Sequence, residues 1–296
     1  MPEILITGAD SFIGKSFRKF SKFRRVEEIS LIDNKPGEIE YSGYEVVLHL
    51  AAIVHESKRI KQDDYFKVNR DLTLEVAERA RKQGVKHFIF MSTVKVYGKF
   101  ITGSDPWNEA TLCNPDEDYG RSKYEAEQEL LKLQSMDFTV SIVRTPIVYG
   151  EGVQANILKL IRLVDRIKIL PFKDVRNLRY FTYSGNLIAC IDRIIEKRIP
   201  GIFIAMDDIG LSTTQLVELI CNALDRKVIF FKPPLFLLKI WRWMTPHLFV
   251  SLYGSLILDN SATRELLDFS PPYTPSNGIS NTIAAYKQQG ENEEYR

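Results

Sequence analysis

Sulfur and imidazole are scarce in this chain. Its three cysteines (Cys113, Cys190, Cys221) and four histidines are scattered, without metal-ligand or redox spacing. That argues against a zinc centre or a disulfide framework and for reduced thiols in a cytoplasmic protein. No charge of one sign dominates either. Forty Lys and Arg against 38 Asp and Glu leave a net charge of +2, so no field calls for nucleic acid. The basic run KSFRKFSKFRR (15–25) reads as the solvated face of a first helix. No apolar run is long enough to span a membrane. The nearest, 228–258, is broken by Lys232, Lys239, Arg242 and three prolines. A buried helix pair is expected there, and an interfacial helix touching a membrane surface is the alternative. No signal peptide is expected ahead of the first strand. There is no internal repeat, and the polar tail from Gly290 reads as frayed.

What is present is strand and helix in alternation. Residues 3–7 (EILIT) read as a buried strand that runs into Gly8-Ala-Asp-Ser-Phe-Ile-Gly14 and a helix through about Phe23. Strand, glycine turn and helix N-terminus form a phosphate cradle, because the glycines admit a sharp turn and the helix offers free N–H groups. A second strand, EISLID, is expected to end at Asp33. An acidic group there would accept bonds from ribose hydroxyls and repel a 2′-phosphate, favouring NAD over NADP, although Lys35 weakens that preference. Further segments follow: EVVLHLAA (45–52), an amphipathic helix from Asp63 to Gln83, KHFIFMS (86–92), a helix carrying Tyr119, and FTVSIVR (138–144). The pattern implies an α/β protein with a doubly wound parallel sheet whose ligands gather at the strand carboxyl ends. Thr7, Asp33, Ala51, Thr93 and Arg144 fall at those ends. The second half is mostly helical and reads as a smaller lobe. The dinucleotide domain is expected over 1–153 with 178–207 and 255–265, and the substrate lobe over 154–177, 208–254 and 266–296.

Tyr119 and Lys123 stand four apart in PDEDYGRSKYEAE, so in a helix they share a face. An ammonium beside the phenol would lower its pKa toward neutrality, and a strand-end hydroxyl from Thr93 would complete a proton relay to an alcohol.

With TGADSFIG, LHLAA, VNRDLT, VKHFIFMSTVKVYG, YGRSK, RTPIVYGEGVQANI and LRYFTYSGNLI in view, nearly the whole chain resembles the extended short-chain dehydrogenase/reductases. The resemblance is to their NAD-dependent epimerase/dehydratase family, which has a Rossmann-type fold. STVKVYG and LSTTQL resemble most a bacterial branch from O-antigen and capsule clusters. That resemblance implies reduction of a UDP-4-keto-6-deoxy-N-acetylhexosamine with NADH, or 4-epimerisation of a UDP-hexose or UDP-N-acetylhexosamine with retained NAD; the reductase is the first expectation. It implies Tyr119 as acid/base, Lys123 as its modulator and Thr93 on the sugar C4 oxygen. It further implies a cofactor lining of Gly8, Ser11, Phe12, Ile13, Gly14, Asp33, Asn34, Leu50, Ala51, Ala52, Asn69, Ser92 and Pro146, together with Tyr119 and Lys123. Lys95, Asn156 and Arg179, with Thr93, would face the substrate. Lys95 and His55 serve either the sugar pocket or the structure, and Arg179 has a structural alternative of its own. A homodimer through helices 63–83 and 118–135 is implied as well.

Three departures stand out. Ser11 replaces the middle fingerprint glycine, which predicts altered phosphate affinity. The interval between Asp33 and His49 is short, so a strand and helix look abridged and the acidic residue near the adenine is not identifiable. Tyr180 stands where relatives carry aspartate. Val94-Lys95 in place of Asp-Glu beside Thr93 argues against a dehydratase. A non-catalytic nucleotide-binding scaffold and an enzyme of lipid-diphosphate sugars are the remaining alternatives.

Overall fold

The first strand is buried at all four positions, which already requires cover on both faces of its sheet. In the computed structural model, which describes residues 1–54, 60–98 and 105–294, β1 (Ile4–Thr7) lies inside a six-stranded sheet. The others are β2 (Val26–Ile29), β3 (Val46–His49), β4 (His87–Thr93), β5 (Thr139–Thr145) and, after three two-residue strands, β9 (Gly201–Ile204). Their order is β2-β1-β3-β4-β5-β9, all parallel. Side chains of successive residues point to opposite faces. Ile4 and Ile6 therefore join one core cluster, under α1 (Phe12–Phe20), α6 (Ser184–Lys197) and α10 (Ser261–Leu267). Leu5 joins the other, under α3 (Thr73–Lys82) and α4 (Asp118–Lys132). The expected doubly wound parallel sheet is what the chain forms. Its strand order reverses between β1 and β3, so the crevice at their carboxyl ends is the natural ligand site.

A second cluster packs α5 (Ala155–Arg166), α7 (Thr213–Leu224) and α11 (Pro275–Glu294) around Tyr149, Phe172 and Phe181. Two small ladders edge it, β6 (Val148–Tyr149) with β8 (Thr182–Tyr183), and β7 (Ile169–Leu170) with β10 (Ile229–Phe230). The helix expected from Asp63 is built of α2 (Gln62–Phe66), a π-helical turn (Lys67–Leu72) and α3.

Several expectations need correction. β2 closes at Ile29, not at Asp33. The register pairs Thr7 with Ile29, and the amides of Gly8 and Ala9 both donate to the Ile29 carbonyl, which ends the ladder. Residues 31–34 then turn, with Asn34 bonded twice to the Ser30 carbonyl, and Asp33 is exposed. α1 stops at Phe20 because Ser21 turns extended, its hydroxyl donating to Asp192 at 2.6 Å. The abridged link from β2 to β3 is as expected, carrying a single 3₁₀ turn at Pro36–Glu38.

The segment 228–258 departs most. It forms two helices, α8 (Leu235–Met244) and α9 (Pro246–Tyr253), yet α8 has no buried residue. The pair packs on itself through Trp241, Phe249 and Tyr253, whose ring centroids lie 4.9–6.1 Å apart. Its attachment to the body is at the end of α9, where Leu252 and Tyr253 pack against the second cluster and backbone carbonyls accept hydrogen bonds. Asn177 Nδ2 donates to the Leu252 and Gly254 carbonyls at 3.3 and 2.9 Å. Among the described residues, no helix is long and apolar enough to cross a membrane.

Candidate active site

Gly8 sets the floor of the crevice. Its φ of +103° is open to glycine, and a Cβ there would stand 2.8 Å from the Ala51 amide nitrogen. The β1 turn thus presses directly on the exit of β3, where Leu50, Ala51 and Ala52 are partly buried. Ser11 caps α1, its hydroxyl accepting from the Gly14 amide at 3.1 Å. The serine that replaces the fingerprint glycine therefore satisfies one of the helix's leading N–H groups. Those of Phe12 and Ile13, the first two helical positions, have no intrahelical acceptor. Two open amides at a dipole end, beside the glycine that opens the turn, fit a diphosphate. Glu28, on β2, accepts from the Asp10 amide at 3.2 Å and is paired with Arg18; sequence reasoning passed it over in favour of Asp33.

The far wall is β4 and the start of α4. Thr93 ends β4, accepting from the Lys95 amide at 3.2 Å. α4 comes close to it because residue 120 is glycine; a Cβ there would meet the Lys95 carbonyl oxygen at 2.8 Å. Tyr119 lines a cleft of about 520 Å³ with Ile60, Gln62, Tyr65, Glu117 and Arg121 among its walls. Burial pushes the phenol above its ordinary pKa, while the Thr93 hydroxyl pulls it down.

Lys123 is not the phenol's partner here. Its ammonium donates to the Met91 carbonyl at 2.8 Å and sits 4.3 Å from the Phe90 ring centroid. Burial brings its pKa down to about 7, against the pull of Glu127. The expected lysine-lowered phenol is thus not preassembled: a desolvated lysine takes the nearest carbonyl, and a desolvated phenol keeps its proton. The cation beside the Tyr119 ring is Lys95, 5.7 Å from the centroid and 2.5 Å from Glu117.

Other predicted residues are occupied elsewhere. Asn69 is fully buried, clamping both Ile53 backbone groups and donating to Ser122, which in turn bonds the Tyr119 carbonyl. It holds the two walls together from behind. Ser92, one residue from Thr93, points to the opposite face and donates to Glu127. Pro146 follows the end of β5 and is buried. Asn156 is exposed on the first turn of α5. Arg179 is buried, donating to the Val250 and Gly254 carbonyls at 3.1 Å each; burial lowers its pKa to about 10. It anchors α9, which answers the substrate-facing expectation with a structural role. His55 lies outside the described residues.

Two buried devices were missed. Glu127 and Arg144 form an ion pair with three bonds of 2.5–3.2 Å, both side chains at most 2% exposed. The pair ties α4 to β5, and the guanidinium lies 4.9 Å from the Tyr97 ring centroid. The signal was readable: Glu127 continues the Tyr119–Lys123 spacing by one more helical step. His49 sits between Thr7 and Thr73 at 2.7 and 3.0 Å. Thr73 gives its proton to the Asn69 carbonyl, so it accepts from Nε2–H, leaving Nδ1 to accept from Thr7. Burial, then Lys123, lowers this imidazole's pKa to about 3. No metal-binding cluster of His, Cys, Asp and Glu occurs among the described residues.

With this geometry in place, the chain matches the family model described as NAD dependent epimerase/dehydratase over residues 4–204. It is 33% identical over 262 residues to UDP-glucose 4-epimerase of Vibrio cholerae, covering 85% of this chain and 79% of that protein. It is 27% identical to N-acetyl-alpha-D-glucosaminyl-diphospho-ditrans,octacis-undecaprenol 4-epimerase of Escherichia coli O157:H7, over 63% of this chain and 57% of that one. The structure of RMD from Pseudomonas aeruginosa complexed with NADPH superposes with a TM-score of 0.78 at 16% identity, covering 97% of this chain and 100% of that one. At that identity the likeness speaks for the fold alone.

Proposed function

The chain belongs to the NAD dependent epimerase/dehydratase family, and from that premise we propose that it is a 4-epimerase of a nucleotide-activated hexose or N-acetylhexosamine. The observation that carries the reading is the Tyr119 phenol lining the 520 Å³ cleft, with the Thr93 hydroxyl acting on it and, one helical turn away, a lysine whose pKa is lowered to about 7. Two relatives named as 4-epimerases support the choice over reduction. In this reading 1–153, 178–207 and 255–265 hold NAD, and the remaining segments hold the sugar nucleotide. The open amides of Phe12 and Ile13 take the diphosphate of the dinucleotide, and Gly8 lets it approach. Bound NAD supplies a hydride acceptor and donor at C4. Thr93 orients the C4 oxygen. Tyr119 takes that oxygen's proton and later returns it. Lys123 stabilises the phenolate and holds ribose hydroxyls once drawn from Met91.

The C4-ketoreductase expectation has one observation in its favour, the phenol kept protonated by burial, which suits donation to a C4 alkoxide. The two readings separate on one preparation. An epimerase converts UDP-glucose or UDP-N-acetylglucosamine to the C4 epimer without added cofactor, and denaturation releases NAD. A reductase instead oxidises NADH over many turnovers with UDP-4-keto-6-deoxy-N-acetylglucosamine. Tyr119→Phe should lower the rate about 10²–10⁴-fold with the fold intact. Unchanged turnover in that variant would end the assignment of Tyr119 as the acid/base, and a wild type that turns over none of these substrates would leave a nucleotide-binding scaffold.

A further inference from the structure

The helix pair α8–α9 presents a surface that the fold itself does not use. On α8, Phe236, Ile240 and Trp243 recur at helical spacing and are 61, 50 and 84% exposed; Leu235 and Met244 beside them are 75 and 67% exposed. The helix positions that face inward are Leu238 and Trp241, both only partly buried. Lys239 and Arg242 form a stripe flanking the apolar one, and Lys232 precedes the helix. From Lys227 to Leu258 there are four Lys and Arg and no Asp or Glu. In a chain whose charges otherwise nearly balance, this acid-free stretch is a local cationic patch.

An amphipathic helix with tryptophan in its apolar stripe and cations alongside suits the interface of an anionic bilayer. The apolar stripe enters the acyl boundary, the indole sits at headgroup level, and the cations meet lipid phosphates. The mounting suits this use. The pair is gripped at the carboxyl end of α9 by Arg179 and Asn177 and by Tyr253, whose hydroxyl donates to the Pro171 carbonyl at 2.6 Å. α8 is thereby carried on α9, with none of its side chains buried. We propose that α8–α9 is a monotopic docking element that seats the protein on an anionic lipid surface, whichever sugar it acts on.

The test is co-sedimentation of the full chain with phosphatidylcholine vesicles, with and without phosphatidylglycerol. Wild type is expected to pellet with the anionic vesicles, to be released by added salt, and to show a blue-shifted tryptophan emission when bound. Lys239→Gln with Arg242→Gln should weaken partitioning about thirtyfold, at about fivefold per cation. Phe236→Glu with Trp243→Glu should abolish it. Both pairs should keep the wild-type melting temperature, because no side chain of α8 is buried. Wild type staying in the supernatant with anionic vesicles overturns the proposal, as does undiminished binding by the Phe236→Glu, Trp243→Glu pair. A dimer by light scattering that this pair dissolves, with no vesicle binding, would assign the face to a second copy instead.

Discussion

Removing Glu127 tests whether the catalytic helix is held by a buried ion pair. Its carboxylate is fully buried and receives Arg144 Nε at 3.1 and 3.2 Å, Arg144 Nη2 at 2.5 Å, and the Ser92 hydroxyl. Glu127→Ala leaves a guanidinium at 2% exposure without its counter-charge. Breaking such a pair from one side costs about 3–5 kcal/mol, because the remaining charge stays desolvated. At about 2–4 °C per kcal/mol for a chain of this size class, the melting temperature should fall by roughly 6–20 °C. Glu127→Gln keeps the volume and one acceptor, so its loss should be intermediate. Replacing both partners, as Glu127→Leu with Arg144→Met, should recover most of the loss, since neither variant residue brings a charge to desolvate. The exposed pair Glu75–Arg79 at 3.0 Å is the control, and Glu75→Ala should cost less than about 0.5 kcal/mol. Urea and thermal denaturation of the five proteins read these differences. A loss below about 1 kcal/mol for Glu127→Ala, equal to the surface control, would refute the argument.

Acid should act through the buried imidazoles. Burial lowers His49 and His87 to about 3, so they stay neutral in the fold and bind protons on unfolding below about pH 6.5. Their contribution is fully present above that pH and declines as pH falls, by about 2 kcal/mol each at pH 5. The raised carboxyls of Asp192 and Asp207 act in the opposite sense, so the cleanest check is NMR of the imidazole C–H signals; titration of either ring near pH 6.5 would contradict the burial argument. Gly8→Ala should weaken cofactor retention at least tenfold and cost about 1–3 kcal/mol, read by NAD release and thermal unfolding. Its added methyl has nowhere to go but the Ala51 backbone, so wild-type retention would show that the turn is not part of the cradle.

The sequence by itself determined the sheet. Apolar strands alternating with helices leave few arrangements besides a doubly wound parallel sheet, and the glycine turn after β1 marks where its ligand crevice opens. It also pointed to Thr93 and Tyr119 meeting, because in a parallel sheet the carboxyl end of a strand and the start of the helix that follows it face the same edge, however long the link between them. What it did not decide was where long polar side chains end up. Lys123 bonds Met91 rather than the phenol, Arg179 bonds α9 carbonyls rather than facing the crevice, and Asn69 and Ser92 are held by buried partners. Those outcomes depend on which acceptor lies within reach after packing, and desolvation makes the nearest one decisive. Asp33 missed its strand end because ladder pairing, set by the neighbouring strand, closed β2 at Ile29. The exposed face of α8 belongs to the same lesson. Its hydrophobicity was plain in the sequence, but only the tertiary structure decided that none of the described residues buries it, since the second cluster was already closed by α5, α7 and α11.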